Sequence, residues 1–360
     1  MDVRRPTMKD VARQAGLSTA TVSRVLNGHP NVTPEVRTRV LAVIEDLKYR
    51  PSRLARGLRT KITPVIGLII SDIQNFFFTS VTRGVEDIAS RNGYSLILCN
   101  TDEDINRERA YLEVMHSENV AGIILASACE TGHDPNLYGG QIPIVALDRL
   151  ITDVPLDHVM GDNVGGARTA VKHLLSLGHQ RIGLITSHQR LTTGRERQEG
   201  YEQALAESGL PLDPALIRRA DFRRVDDSRQ QALDLLGLPH PPTALFTANT
   251  LVTLGTLTAI RERGLCIPQD IALVAFDDIP WGSLLNPPLT AVRQPTYELG
   301  TTAAEMLLAR IADPLRPPTS IRLKLQLLVR ESCGARARLA PVGEAVADAP
   351  DVARVVSERR

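Results

Sequence analysis

The sequence carries no long hydrophobic run: the longest near its front, Val65-Ile66-Gly67-Leu68-Ile69-Ile70, stops far short of the roughly 18 to 20 residues that a bilayer crossing requires. No membrane span and no membrane partner are expected. Behind Met1-Asp2-Val3-Arg4-Arg5-Pro6, the polar Lys9, Asp10 and Arg13 occupy the stretch in which a secretory leader would be apolar, so the expected compartment is the cytoplasm. Cysteine is sparse as well. Cys99, Cys129, Cys266 and Cys333 lie far apart without a CxxC spacing, which argues against a structural zinc or a disulfide framework and leaves buried or incidental thiols. Phosphate-binding glycine loops are missing: there is no GxGxxG and no GxxxxGK(S/T), and no Ser-His-Asp or metal-ligand cluster stands out. A sugar kinase or dehydrogenase is therefore disfavoured, and no cofactor and no metal are expected.

What is present is an ordinary globular composition, 43% hydrophobic and 23% charged over 360 residues, long enough for two or three domains with their own cores. The net charge of +1 conceals an asymmetry. Residues 1–61 hold 13 Lys+Arg against 5 Asp+Glu, a net of +8, while the remainder holds 29 against 36, a net of −7. A small basic head on an acidic body points to a polyanion as the partner of the head.

The head reads as three short helices. Met8, Val11, Ala12 and Ala15 recur at helical spacing, Gly16 supplies a permissive turn, and Ser18 is placed to cap a second helix, Thr19 to Leu26, whose apolar side is Val22, Val25 and Leu26. Thr33-Pro34 offers a cap and a first-turn proline for a third helix with the stripe Val36, Val40, Val43, Ile44 and Leu47. Two helices of about eight residues joined by a three-residue turn are the pattern of a helix-turn-helix, whose second helix enters the major groove of DNA. Its outer face would present Thr19, Ala20, Ser23, Arg24 and Asn27: short polar groups for phosphates, a methyl for thymine and a guanidinium for guanine.

Beyond residue 61, apolar runs alternate with amphipathic stretches. Runs at 64–70, 94–99, 122–126 and 142–147 read as buried parallel strands, with helices at 76–91 and 106–118; runs at 182–186, 244–247 and 271–276 follow, with helices at 164–177, 195–208, 226–236 and 250–263. The predicted fold is thus a small all-α head on an α/β body of two similar lobes. Loops at the carboxyl ends of parallel strands converge on the cleft between such lobes.

The segments Thr7-Met8-Lys9-Asp10-Val11-Ala12, Ala15-Gly16-Leu17-Ser18, Thr21-Val22-Ser23-Arg24-Val25-Leu26-Asn27 and Tyr49-Arg50-Pro51 resemble the N-terminal signature of the LacI/GalR family of bacterial transcription regulators. The resemblance continues through Asp72-Ile73-Gln74-Asn75-Phe76-Phe77, Ala146-Leu147-Asp148-Arg149, Gly161-Asp162-Asn163 and Phe276-Asp277-Asp278 to about residue 333. It implies a helix-turn-helix domain at 1–50, a hinge helix and linker at 51–62, and a two-lobed body like the type I periplasmic binding proteins at 63–333. Residues 334–360, rich in Ala, Arg and Val and interrupted by Pro341 and Pro350, read as a poorly ordered tail.

By the resemblance, Thr19, Ala20 and Arg24 select the operator, and Thr7, Ser18, Thr21, Ser23 and Asn27 grip phosphates. In the hinge, Leu58 corresponds to a minor-groove wedge flanked by Arg56 and Arg59, and Arg53 is a further DNA-binding candidate. Cleft candidates for a sugar-like effector are Asn75, Phe76, Phe77, Asp148, Asp162, Arg197, Asn249 and Asp277, carboxylates accepting from hydroxyls and a phenylalanine facing the ring. Phe76 and Phe77 also fit a core role, Asp162 a helix cap, and Arg149 a pairing with Asp148. A sugar acid or phosphate and a neutral sugar fit the cleft charges equally, and induction and corepression both remain open. Asn249-Thr250 and Ala275 depart from the family pattern. The implied assembly is a homodimer on a pseudo-palindromic, double-stranded operator. If Arg24 reads a base, Arg24→Ala lowers discrimination at one base pair by about 1–3 kcal/mol; operator-variant titration at fixed salt checks this, and an unchanged base preference removes Arg24 from the reading set.

Overall fold

The structure, a computed structural model, describes residues 6–26, 29–49, 63–187, 191–221 and 223–335. The predicted hinge with Arg53 and Leu58, the phosphate candidate Asn27, and the tail beyond Ala335 lie outside the described residues.

In the head, α1 spans Met8–Ala15, α2 Thr19–Leu26 and α3 Pro34–Asp46. The first starts in a reciprocal cap: Thr7 Oγ1 accepts from the Asp10 amide at 3.4 Å, and the Asp10 carboxylate accepts from the Thr7 amide at 2.9 Å. It stops at Gly16, whose φ of +67° lets the chain turn sharply while the Leu17 amide bonds the Ala12 carbonyl. Ser18 Oγ then accepts from the Thr21 amide at 3.1 Å and starts α2. At α3 the expected Thr33 cap is not made; Thr33 is exposed, Pro34 has no amide to satisfy, and the Arg37 amide bonds the Thr33 carbonyl at 3.1 Å. Val11, Ala12, Ala15, Val22, Val25, Val40 and Tyr49 form the core. Of the predicted α3 stripe, only Val40 is fully buried, because so small a unit cannot enclose more.

The body holds two sheets of six strands. In chain order its elements are β1 (Thr63–Ile70), α4 (Phe76–Arg91), β2 (Ser95–Asn100), α5 (Ile105–Ser117), β3 (Val120–Leu125), α6 (Pro135–Tyr138), β4 (Ile144–Leu147), β5 (Asp157–Gly161), α7 (Asn163–Ser176), β6 (Ile182–Ser187), α8 (Thr192–Glu207), β7 (Ile217–Ala220), α9 (Val225–Leu236), β8 (Ala244–Thr247), α10 (Thr250–Glu262), β9 (Ala272–Phe276), β10 (Thr290–Arg293), α11 (Thr296–Ala312), β11 (Ser320–Leu323) and β12 (Gln326–Leu328). The sheet orders are β11-β5-β4-β3-β1-β2 and β12-β10-β9-β8-β6-β7, so the first five strands of each lobe repeat one doubly wound topology. The sixth differs: β11 runs parallel to β5, whereas β12 runs antiparallel to β10. The chain crosses between lobes three times, at residues 161–163, 293–296 and 323–326.

Helix pairs cover the sheets, and glycine sets how closely they approach. A Cβ on Gly300 of α11 would lie 2.2 Å from the Val81 carbonyl oxygen of α4, and one on Gly84 would lie 2.3 Å from that of Tyr297. In the second lobe, a Cβ on Gly200 of α8 would come within 2.3 Å of the Val164 oxygen of α7. These are backbone contacts that no side-chain rotation relieves. Around them pack Val81, Val85, Leu299, Ala303 and Leu307 in the first lobe and Ala167, Val171, Tyr201 and Ala204 in the second. Among the described residues, no helix is long and apolar enough to cross a membrane. Gly300→Ala is expected to cost about 1–3 kcal/mol through overpacking and to lower the melting temperature in differential scanning calorimetry; an unchanged transition would contradict so close a helix crossing.

Candidate functional site

The two strands β4 and β9 occupy the same place in their respective lobes, and both end in an aspartate of left-handed conformation. Asp148 follows β4 with φ +67°, and Asp277 follows β9 with φ +76°. Each gives its amide to the neighbouring strand, Asp148 to the Val159 carbonyl at 2.8 Å and Asp277 to that of Val292 at 3.0 Å. Aspartate tolerates this conformation better than bulkier residues, and the kink turns each carboxylate from the strand end into the cleft.

Two buried guanidinium groups complete the floor. Arg149 clasps Glu103 with two bonds of 2.6 and 2.5 Å, adds the Ser127 carbonyl at 2.8 Å and Ser71 Oγ at 3.3 Å, and stands only 3.7 Å from Asp148. Its principal partner is thus Glu103, not the adjacent aspartate that the sequence offered. Burial alone would depress the Arg149 pKa, but the Glu103 pair overcomes it and the group is held more firmly charged. Arg197 donates Nε to Asn163 at 2.9 Å and Nη1 to the Ala248 carbonyl at 2.5 Å, lies 3.8 Å from Asp277, and stacks over the Phe276 ring at 3.8 Å. Gln294, where the chain recrosses between lobes, gives Nε2 to Asp277 at 2.7 Å. Arg149 Nε and Gln294 Oε1 are buried without a hydrogen-bond partner, so each retains capacity for one.

The cleft brings together six of the eight sequence candidates: Asn75, Phe77, Asp148, Arg197, Asn249 and Asp277. Asn75 and Asn249 also cap their helices, accepting from the Phe77 amide at 3.1 Å and the Val252 amide at 2.8 Å. Asp162 and Phe76 are not on its wall. The Asp162 carboxylate caps α7, accepting from the Gly165 amide at 2.9 Å, and Phe76 turns its ring edge-on to Trp281, 4.7 Å between centroids. The wall also contains Ser71, Glu103, Ser187, Thr193 and Gln294, which sequence reasoning missed. Ser187 ends β6, and Ser71 and Glu103 sit just beyond strand ends, the signal that pointed to Asp148 and Asp277; β10, before Gln294, is too short to show in periodicity.

In the head, Ser18, Thr19, Ala20 and Arg24 are exposed, whereas Thr21 and Ser23 are half-buried. The Ser18 and Thr21 hydroxyls bond each other at 2.9 Å, and that of Thr7 is engaged with Asp10.

Ser127 and His133, both buried, and the exposed Asp153 are linked in series, Oγ to Nε2 at 3.2 Å and Nδ1 to Oδ1 at 2.6 Å. Ser127 is 1% exposed and spends its hydroxyl proton on Glu108, so this network ties a loop together and presents no accessible nucleophile. Among the described residues, no cluster of three or more His, Cys, Asp or Glu is placed to hold a metal.

Burial raises the Asp148 pKa to about 6 against the opposing pull of Arg149 and Arg197, with Asp277 adding to the rise. An acid raised in the folded state binds more protons there than in the unfolded chain, so its contribution to stability falls as pH rises from about 4 to 6 and stays low above. Asp148→Asn is therefore expected to stabilise the body at pH 8, by up to about 3 kcal/mol, with the advantage shrinking as pH is lowered through 6. Chemical denaturation across pH checks this, and a pH-independent difference would show that the carboxyl carries no such penalty.

The first fifty residues match the family model for bacterial regulatory proteins of the lacI family over residues 7–52, and the body matches that for a periplasmic binding protein-like domain over residues 171–333. The chain is 37% identical over 327 residues to the ribose operon repressor of Halalkalibacterium halodurans, covering 91% of this chain and 96% of that protein. A LacI-family transcriptional regulator from Enterococcus faecium, solved with bound ribose, is 31% identical with a TM-score of 0.68, covering 74% of this chain and 98% of that one. The Lac repressor dimer, solved on its operator with the anti-inducer ONPF, is 26% identical with a TM-score of 0.81 over 92% of this chain and 99% of that one. With its helix-turn-helix head and two-lobed body, the chain belongs to the lacI family of bacterial regulatory proteins and is a DNA-binding transcriptional regulator rather than an enzyme.

Proposed function

We propose that this regulator represses transcription from a pseudo-palindromic operator bound by a homodimer, and that its effector is a neutral pentose of the ribose type held in the cleft. The observation that carries the effector reading is charge balance. Among the described residues the wall holds Asp72, Glu103, Asp148 and Asp277 against Arg149 and Arg197, and both guanidinium groups already face carboxylates. A carboxylate or phosphate on the ligand would meet an acidic set of described residues whose two cations are already engaged, whereas hydroxyl groups can donate to Asp148 and Asp277 and accept from Asn249 or the spare Nε of Arg149. The ribose named for the relatives is of this class.

In this reading Asn75 and Phe77 position the sugar from the first lobe, and Arg197, Asn249, Asp277 and Gln294 do so from the second. Asp162 and Phe76 support the walls. In the head, Thr19, Ala20 and Arg24 face bases while Thr7, Ser18, Thr21 and Ser23 face phosphates, with Asn27, Arg53 and Leu58 taking the roles their family positions imply. Binding across both lobes couples effector and operator reciprocally, by about 1–3 kcal/mol in systems of this kind.

The test is fluorescence anisotropy against the gene's own upstream DNA and a scrambled control, at one salt concentration because phosphate contacts are steeply salt-dependent. Ribose is expected to lower operator affinity. A rise instead would reverse the sign to corepression, and no response to ribose alongside a response to ribose 5-phosphate would overturn the charge argument. Arg197→Ala and Asp277→Ala are each expected to weaken ribose binding by about 10- to 150-fold, the worth of a charge-assisted hydrogen bond, with operator affinity unchanged without sugar.

A further inference from the structure

Glu130 belongs to the loop after β3 in the first lobe, yet its carboxylate binds the second. One oxygen accepts from the Thr192 hydroxyl at 2.5 Å and the other from Arg195 Nη1 at 2.9 Å. The same Thr192 oxygen accepts from the Leu150 amide of the first lobe at 3.1 Å. Thr192 is wholly buried and opens α8, and its neighbours Leu191 and Thr193 line the cleft, with Arg197 little more than a turn farther on. Glu130 itself is not on the cleft wall.

The loop that presents Glu130 is fastened within its own lobe. The buried Glu108 accepts from the Ala128 amide at 2.7 Å and the Ser127 hydroxyl at 2.9 Å. On the far side of the tip, Asp153 accepts from the amides of Gly132 and His133 at 2.6 and 3.0 Å, and Thr152 donates to the Glu130 carbonyl at 3.0 Å. None of the three covalent crossings between lobes lies near Glu130 or Thr192 in sequence. Connectivity therefore does not impose the contact, and the pinned loop cannot follow α8 if the lobes part. Opening must break these bonds.

We infer that Glu130 is a clasp: a positioning residue that holds the start of α8, and with it Arg197, against the first lobe, and so sets the effector concentration at which the regulator responds. A ligand that requires closed lobes binds with an apparent Kd divided by the closed fraction, so a clasp that keeps that fraction high tightens binding without touching the ligand.

The test uses the full chain with Glu130→Ala, Glu130→Gln, Thr192→Val and Arg195→Ala, read by hydrogen exchange of the segment around Leu150 and by calorimetric titration with ribose. Glu130→Ala is expected to speed exchange at Leu150 and to raise the ribose Kd about tenfold, as for a closed fraction reduced to roughly one tenth. Glu130→Gln, which keeps an acceptor for Thr192 but no charge for Arg195, is expected to fall between. Thr192→Val is expected to reproduce the alanine variant, and the double variant to be no worse than either, the non-additivity of a shared contact. Unchanged exchange in Glu130→Ala, an unchanged ribose Kd in that variant, or additive effects in the double variant would overturn the clasp. The affinity arm rests on the ribose reading and the exchange arm does not. Failure of the wild type to bind ribose overturns only the effector assignment, while unchanged Leu150 exchange in Glu130→Ala overturns the clasp.

Discussion

Arg149 and Glu103 are each about 5% exposed and meet through two short, parallel hydrogen bonds at the bottom of the first lobe's half of the cleft. A guanidinium taken out of water costs several kcal/mol unless a carboxylate in good geometry compensates it, and its Nη1 and Nη2 also reach the Ser127 carbonyl and Ser71, leaving Nε without a partner. With its bonds to Ser127 and Ser71, the pair joins the ends of four neighbouring strands, β4, β3, β1 and β2, and so fixes the shape of the wall on which the ligand would rest. Because Glu103 takes the Arg149 charge, Asp148 is left turned toward the cleft, buried and raised in pKa. Loss of either partner would leave an uncompensated charge where the sugar is proposed to sit.

The second lobe solves the same problem with different residues. Asp277 repeats the left-handed kink of Asp148, and Arg197 repeats the buried cation, but its bonds go to Asn163 and the Ala248 carbonyl, and its face packs on Phe276. The two halves of the cleft are therefore similar in plan and unlike in chemistry, which lets one asymmetric ligand find acceptors on both sides. Each half is rigid, since helix pairs meet backbone to backbone at Gly84, Gly300 and Gly200. What can change is the relation between rigid halves, through the three chain crossings and the few side chains that span the gap. That arrangement suits a sensor, because a ligand shifts such an equilibrium only through contacts that differ between its states.

Much of this was legible in the chain. The head's caps and stops depend on residues within four positions of one another, Thr7 with Asp10, Gly16 after Ala15, and Ser18 with Thr21, so local chemistry was enough to place them. Long apolar runs exposed β1 to β4 and the inner strands of the second lobe. The strands β5, β7, β10, β11 and β12 have three to five residues each and leave almost no periodic signal. The helix α11 was also missed: half of its buried side is Gly300, Ala303 and Ala304, small residues that permit a close approach to α4, and these dilute the apolar stripe of Leu299, Met306 and Leu307.

The sequence by itself determined the helix-turn-helix, the polar outer face of α2, the α/β alternation of the body and the family to which the chain belongs, because each rests on spacing between near neighbours or on an ordered set of short motifs. Only the tertiary structure decided that Arg149 pairs with Glu103 rather than Asp148, that Asp162 and Phe76 leave the cleft while Gln294 enters it, and that Glu130 reaches α8. Apart from the Asp162 cap, which is local, those partners lie tens of residues apart. Which of them meet is set by strand order and by how two lobes close on each other, and no local pattern of polarity encodes either.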